Sequence, residues 1–240
     1  MRVLGIITAR GGSKGIPNKN LVEVAGKSLL QYTAEAVSAS QLLTRTILST
    51  DSNEIAIAGQ ELGLEFPFVR PAHLAKDDTP TIPVLKHVVE TLAQQGQSYD
   101  AVFTLQPTNP LRLASDIDGA IGLLQETGAD SVIGFSDVGE RHPARMKRID
   151  AMGRVVDPEF AEAFEGQRRQ DLPPYYLRDG SVYVTRCEVL MQQDSLKGND
   201  CRGWLIPIER ALNVDSPFDL FLVEQLLKLG PQRFPGRAAG

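Results

Sequence analysis

Residues 3–21 read VLGIITARGGSKGIPNKNL, and the fold class follows from how this stretch is punctuated. Val3 to Ile7 is an apolar run rich in β-branched residues, the mark of a buried strand. A glycine-rich turn follows at once, Gly11, Gly12 and Gly15, with Arg10, Lys14 and Lys19 threaded through it. Ser13 and Asn20 add neutral hydrogen-bonding groups. Glycine lets the backbone come close to a ligand and aim consecutive N–H groups at it. Arginine offers phosphate oxygens a planar fork, and lysine a mobile point charge. The stretch therefore predicts a polyphosphate cradle directly after a strand. It is neither the P-loop pattern GxxxxGK[ST] nor the dinucleotide fingerprint GxGxxG.

Outward from this loop, strand and helix patterns alternate. Leu29, Leu30, Thr33, Ala34 and Val37 share one helical face. Thr46–Ser49 reads as a second strand, and Ser52 is placed to cap a helix that stops at Gly63. Glu65–Val69 reads as a third strand. The alternation predicts an α/β fold, a mostly parallel sheet with helices on both faces. A helix is expected from Thr79 to Gln95, with Pro80 and Pro83 in its first turn, and a fourth strand from Asp100 to Leu105. That strand runs into Gln106-Pro107-Thr108-Asn109-Pro110-Leu111-Arg112. Ligands of open α/β sheets sit beyond the carboxyl ends of strands, so Gln106 is placed to hydrogen-bond a substrate.

Ser115 is expected to cap the next helix, and Asp130–Phe135 reads as a fifth strand. From 137 to 176 the pattern changes to a polar, arginine-rich stretch with little helical period, in which RMKRID and GRVVD suggest a short hairpin. Ser181–Thr185 and Trp204–Pro207 read as further strands, the latter at an edge. Leu212–Asp215 is a short extended piece before a helix capped by Ser216 with Pro217 at its first position. Residues 1–136 and 177–230 thus form one α/β domain, 137–176 an insertion, and 231–240 a loose tail.

With 25 Lys and Arg against 30 Asp and Glu, the net charge is −5, which argues against nucleic acid as a partner. Hydrophobic residues at 42% and charged residues at 23% are ordinary globular values, ample for a buried core. Cys187 and Cys201 lack metal-ligand spacing; with no signal peptide read at MRVLGIITA, they are expected to be free thiols in the cytoplasm. No apolar run approaches the ~20 residues of a membrane span, so no membrane is expected as a partner. Asp215, between an extended piece and a helix start, is well placed for a Mg²⁺ that bridges phosphates. His87 reads as structural, while His142, beside Pro143 in the insertion, is open to a functional role.

ARGGSKGIPNKN resembles the signature loop of the CMP-sialic acid synthetases, the acylneuraminate cytidylyltransferases, whose pattern is ARxxSKGxPxKN. Three further motifs carry the resemblance in order: RPAHLA at 70–75 against RPxxLA, LQPTNPLR at 105–112 against LQPTSPLR, and YYLRDGSVY at 175–183 against FRxNGAIY. Weaker matches are RRQDLP against RQQLP, and LNVDSPFDL against IDIDxxxDL. The resemblance spans Val3 to about Leu229.

It implies a fold of the nucleotide-diphospho-sugar transferase type, and a reaction in which CTP and a nine-carbon α-keto acid sugar give a CMP-sugar and pyrophosphate. Sialic, legionaminic and pseudaminic acids stay open as acceptors. It implies that Arg10, Gly11, Gly12, Ser13, Lys14, Lys19, Asn20, Arg70 and Thr81 hold the nucleotide, with Arg10, Lys19 and Asp215 catalytic. Gln106, Arg169, Asp179 and Tyr183 would meet the sugar, Arg169 taking its carboxylate. Asp215 would hold Mg²⁺ with Asn213, which stands where the family has a second aspartate. Asp179 stands where the family has asparagine, and Leu177 where it has arginine, with Arg178 next to it. The insertion would form a homodimer and reach into the partner's site. A different acid sugar such as an octulosonate, or a nucleotide-binding regulator without catalysis, are the alternatives.

Overall fold

The computed structural model describes residues 1–13, 15–164 and 166–230. Lys14 and the expected tail at 231–240 lie outside the described residues. The chain begins with β1 (Val3–Thr8), a short hairpin of β2 (Glu23–Val24) and β3 (Lys27–Ser28), α1 (Leu29–Ala39), β4 (Arg45–Ser49), α2 (Asn53–Glu61) and α3 (Thr81–Gln94). It continues with β5 (Ala101–Leu105), α4 (Ala114–Thr127), β6 (Ser131–Asp137), β7 (Arg148–Ile149), β8 (Val155–Val156) and β9 (Tyr176–Arg186). It ends with α5 (Cys187–Gln193), β10 (Cys201–Leu205) and α6 (Pro217–Leu229).

Six strands form one sheet in the order β10-β6-β9-β5-β1-β4. β1 runs parallel to β4 and β5, and β10 runs parallel to β6. Only β9 is antiparallel, to both β5 and β6. The expected mostly parallel α/β fold is therefore what the chain adopts. Side chains alternate faces along a strand, and β1 shows it: Val3 and Ile7 pack in one core with Leu30 of α1 and Ile117 of α4. Leu4 and Ile6 pack in the other, with Leu85 and Val88 of α3 and Leu190 of α5. Every one of these side chains is buried.

The topology also decides where a ligand can sit. α1 links β1 to β4 over one face, and α3 carries the chain from beyond β4 back to β5 over the other. The loops after β1 and β5 therefore diverge, and a crevice opens at the carboxyl ends of these neighbours. This is the switch point at which open α/β sheets bind ligands.

Local chemistry sets the helix starts. Ser28 accepts a hydrogen bond from the Gln31 N–H at 3.1 Å, and Ser52 one from the Ile55 N–H. Ser216 and Asp219 cap α6 reciprocally, with Pro217 at its first position. Asp219 is held below the usual carboxylate range, chiefly by its hydrogen bond from Ser216.

Three expectations change. The third strand shrinks to a single parallel bridge between Glu65 and Ile47, because the chain leaves the sheet edge at once towards Arg70. α4 is capped by Asp116, whose carboxylate accepts the Leu113 N–H at 2.9 Å, and Ser115 lies inside the helix. The strand expected at Ser181–Thr185 is part of the eleven-residue β9, whose pairing with β6 shifts register between Ile133 and Phe135.

Between β6 and β9 the chain leaves the main sheet. β7 and β8 form the hairpin expected around Ala151–Gly153, a separate two-stranded sheet. Met146, Ile149, Met152, Val155, Phe160 and Phe164 in this segment are all exposed. His142 is buried here: its Nδ1 accepts the Ala144 N–H at 3.1 Å, and its Nε2 meets the Pro173 carbonyl at 2.9 Å. It is spent on holding the chain, and none of the three histidines lines either cavity described below. Among the described residues no helix is long and apolar enough to cross a membrane. Cys187 and Cys201 are free thiols.

Candidate active site

A cleft of about 400 Å³ opens at the switch point. The loop after β1 lines it with Arg10, Ser13, Gly15, Lys19 and Asn20. Arg70 and Lys76 enter from the segment before α3, Thr81 from its first turn, and Gln106 from the end of β5. Asn213 and Asp215, before α6, close the far side. The structure thus brings together residues from opposite ends of the chain, from Thr8 and Arg10 to Asp215.

The loop is fastened from behind. The Gly11 N–H donates to Asp51 Oδ1 at 2.9 Å, and Asn20 Nδ2 donates to the Arg10 carbonyl at 2.9 Å. Arg10 itself donates to the Gly12 carbonyl at 3.0 Å, and Gly12 takes φ +64°, a conformation glycine adopts without strain. Gly11 and Gly12, expected to face the nucleotide, shape the loop from outside the cleft instead; Ser13 and Gly15 form its wall. A Cβ on Gly15 would sit 2.8 Å from the Asp215 carbonyl, so the loop can reach the far wall only with glycine there.

The cations stand in two states. Arg10 pairs with Asp77 at 2.6 Å, and Lys19 pairs with Asp215 at 2.8 Å while donating to the Val214 carbonyl at 3.0 Å. Arg70 is buried; its Nε donates to Ser49 Oγ at 3.1 Å and another guanidinium nitrogen donates to the Ser49 carbonyl. Burial pulls its pKa down to about 10, with nearby Asp51 opposing the shift and Arg10 adding to it. Lys76, which the sequence reading passed over, has no ion pair among the described residues and lines the cleft directly.

A second cavity, about 670 Å³, adjoins the first and shares Thr81 and Gln106 with it. Its floor is one face of β6 and β9, including Tyr183, and its rim is the segment Asp194–Lys197. Gln106 is held at the junction by Arg112, which donates to the Gln106 carbonyl at 2.8 Å and to the Ser181 carbonyl at 2.6 Å. Arg112 is buried, and burial lowers its pKa to about 10.

Two expected sugar contacts are not brought into either cavity. Asp179 is buried, accepts the Ser181 N–H at 2.8 Å and the Ser181 hydroxyl, and offsets the charge of Arg112. A buried arginine needs a counter-charge, and Asp179 supplies part of it beside Asp116. Arg169 lies in the insertion, paired with Asp137 at 3.2 Å and Glu140 at 3.6 Å. Asn213 is present but oriented differently from expectation: its Nδ2 donates to Asp215, and its Oδ1 accepts from Asn109 Nδ2 at 3.2 Å. Its carbonyl oxygen is thereby turned towards Asn109 and away from any shared site with Asp215.

A mostly parallel sheet with a cation-lined cleft at its switch point, opening into a second cavity, defines an α/β protein shaped to bind an anionic ligand. The chain belongs to the cytidylyltransferase family, whose sequence pattern matches residues 4–199, and it is a nucleotidyltransferase. It is 30% identical over 233 residues to the CMP-N,N'-diacetyllegionaminic acid synthase of Legionella pneumophila, covering 97% of this chain and 99% of that one. It is 28% identical to the pseudaminic acid cytidylyltransferase of Campylobacter jejuni, covering 95% and 97% of the two chains. In structure it is similar to a CMP:2-keto-3-deoxy-manno-octonic acid synthetase complexed with CTP, with TM-score 0.70 and 17% identity over 95% of this chain and 99% of that one. That last likeness concerns the fold.

Proposed function

We propose that this chain joins CTP and a nine-carbon α-keto acid sugar to give a CMP-sugar and pyrophosphate. The observation that carries this reading is the pair of adjoining cavities, one lined by cations and the other open beside it, meeting at Thr81 and Gln106. Thr81 is the first residue of α3, a fourteen-residue helix whose free N–H groups and dipole favour negative charge at the junction. The names of the legionaminic and pseudaminic acid relatives support the acceptor class.

The anomeric hydroxyl oxygen would attack the α-phosphorus as the bond to pyrophosphate breaks. Such a transfer asks for positioning and charge neutralisation more than for covalent help. Arg10 and Lys19 would exchange Asp77 and Asp215 for phosphate oxygens, and Lys76 would add its charge. Gln106, fixed through its backbone by Arg112, would orient the acceptor. For Mg²⁺ the donor set is one carboxylate, Asp215, whose side chain is 66% exposed. That fits an ion held largely by substrate phosphates and water, as Mg²⁺ commonly is. When bound, the ion supplies neutralisation of phosphate charge.

The test is pyrophosphate release with CTP or UTP and a panel of N-acetylneuraminic, N,N'-diacetyllegionaminic and pseudaminic acids. We expect kcat/KM with CTP to exceed that with UTP at least ~100-fold, since a site that hydrogen-bonds one base edge leaves groups unpaired against another. Equal turnover with UTP contradicts the nucleotide assignment. Release with no acid sugar leaves a nucleotide-binding regulator as the better reading.

The insertion supports a homodimer. A two-stranded hairpin is marginal alone, and its exposed apolar side chains need cover. Sedimentation at micromolar concentration should give a dimer; a monomer alone rejects it. The free thiols and the nucleotide substrate fit a cytoplasmic enzyme.

A further inference from the structure

We propose that Arg178 and Lys197 form the anion-binding wall of the second cavity and take the acceptor's carboxylate there. The proposal rests on the reading above that the acceptor is an acid sugar. It starts from strand register. Phe135 faces Arg178 and Ile133 faces Tyr183 across β6 and β9, and all four line the cavity. Leu177 pairs with Ser136 one position earlier, falls on the opposite face, and is 62% exposed. A cation at 177 would point away from this cavity, and a cation at 178 points into it.

The charges around the cavity are not balanced. Asp194, the acid in its wall, is paired with Lys86 at 2.6 Å. Arg178 has no ion pair or hydrogen bond from its side chain among the described residues, and Lys197 uses only its backbone, its carbonyl accepting from Ser131 Oγ and its N–H donating to Ser195 Oγ. Two cations therefore face one volume with no protein anion left for them among the described residues. Tyr183, which burial keeps protonated, offers a hydroxyl donor on the same floor. Arg169 differs on every count: it lines neither cavity and already has Asp137 and Glu140. A carboxylate is the anion this geometry accepts, because an arginine fork and a lysine can share its two oxygens.

The test uses the full chain with CTP and whichever panel acid the wild type turns over best. The C1 carboxamide of that sugar serves as a competitive inhibitor. Arg178→Met should raise KM for the sugar ~30-fold or more, Lys197→Met less, and Arg178→Lys should restore part of the loss. KM for CTP should stay within about twofold, which a general structural defect would not allow. In the double variant Arg178→Met/Lys197→Met, discrimination between acid and carboxamide should fall to about unity. Undiminished discrimination in the double variant overturns the proposal, as does its complete loss in Arg169→Ala. In either case the cytidylyltransferase reading stands if the wild type is active. A wild type that turns over no acid sugar removes the acid-sugar reading, and this proposal with it.

Discussion

Lys19→Ala lowers kcat with CTP by ~30–150-fold while the protein keeps its fold. The ammonium is fixed by the Val214 carbonyl at 3.0 Å and by Asp215 at 2.8 Å, so it points into the cleft before any ligand arrives. Its side chain is 17% exposed and that of Asp215 is 66% exposed. With its carboxylate standing in water the pair is worth ~1 kcal/mol, so a triphosphate can replace Asp215 at little cost. A charge-assisted contact to a transferring phosphate is worth about 2–3 kcal/mol, which sets the expected loss. The check is steady-state pyrophosphate release beside a thermal melt. Near-wild-type turnover would reduce Lys19 to a clamp between the first loop and Asp215. A collapsed melt would show that the clamp matters more than the charge.

What the sequence made legible was local. Val3–Ile7 announced β1 because a strand buried on both faces must be a continuous apolar run, and the glycines and cations that follow stand next to it in the chain. The place of Gln106 in the cleft wall was legible for the same reason: it directly follows a strand whose carboxyl end borders the crevice. The rest depends on contacts that no short window contains. Asp179 reads as a polar residue beside a glycine, but its carboxylate turns back onto Ser181 and is buried beside the charge of Arg112, far off in sequence. Glu65–Val69 has strand-like residues, yet only Glu65 meets Ile47 before the chain turns away. Lys76 directly follows RPAHLA and could have been read from that position alone. Arg178 showed only as an arginine one position from the family's and Lys197 not at all, because they line one cavity only after β9 has found its register on β6.

Asp215 carries the second large effect. Its Oδ1 pairs with Lys19, and its other oxygen accepts from Asn213 Nδ2. A carboxylate only accepts, so Asn213 must turn its NH₂ group towards it and its oxygen towards Asn109 Nδ2. Among the described residues, then, Asp215 is the single carboxylate on this wall, and Asn213 steadies it. Asp215→Asn removes the charge that would hold Mg²⁺ and leaves Lys19 without its anion. Turnover should fall ~100-fold or more, with a higher Mg²⁺ requirement, because one carboxylate is the minimum such an ion usually takes. Asn213→Asp acts in the opposite direction. The Asn109 amide can still donate to the new carboxylate, while two carboxylates side by side repel each other until a cation binds between them. The half-saturating Mg²⁺ concentration should therefore fall several-fold, on the order of the ~1 kcal/mol that one added screened charge contributes near a surface. A Mg²⁺ titration of pyrophosphate release for the wild type and both variants reads this directly. Mn²⁺ binding followed by electron paramagnetic resonance, with CTP and without sugar, reads it apart from turnover. Three superimposable curves would place the ion elsewhere and leave Asp215 as the partner of Lys19.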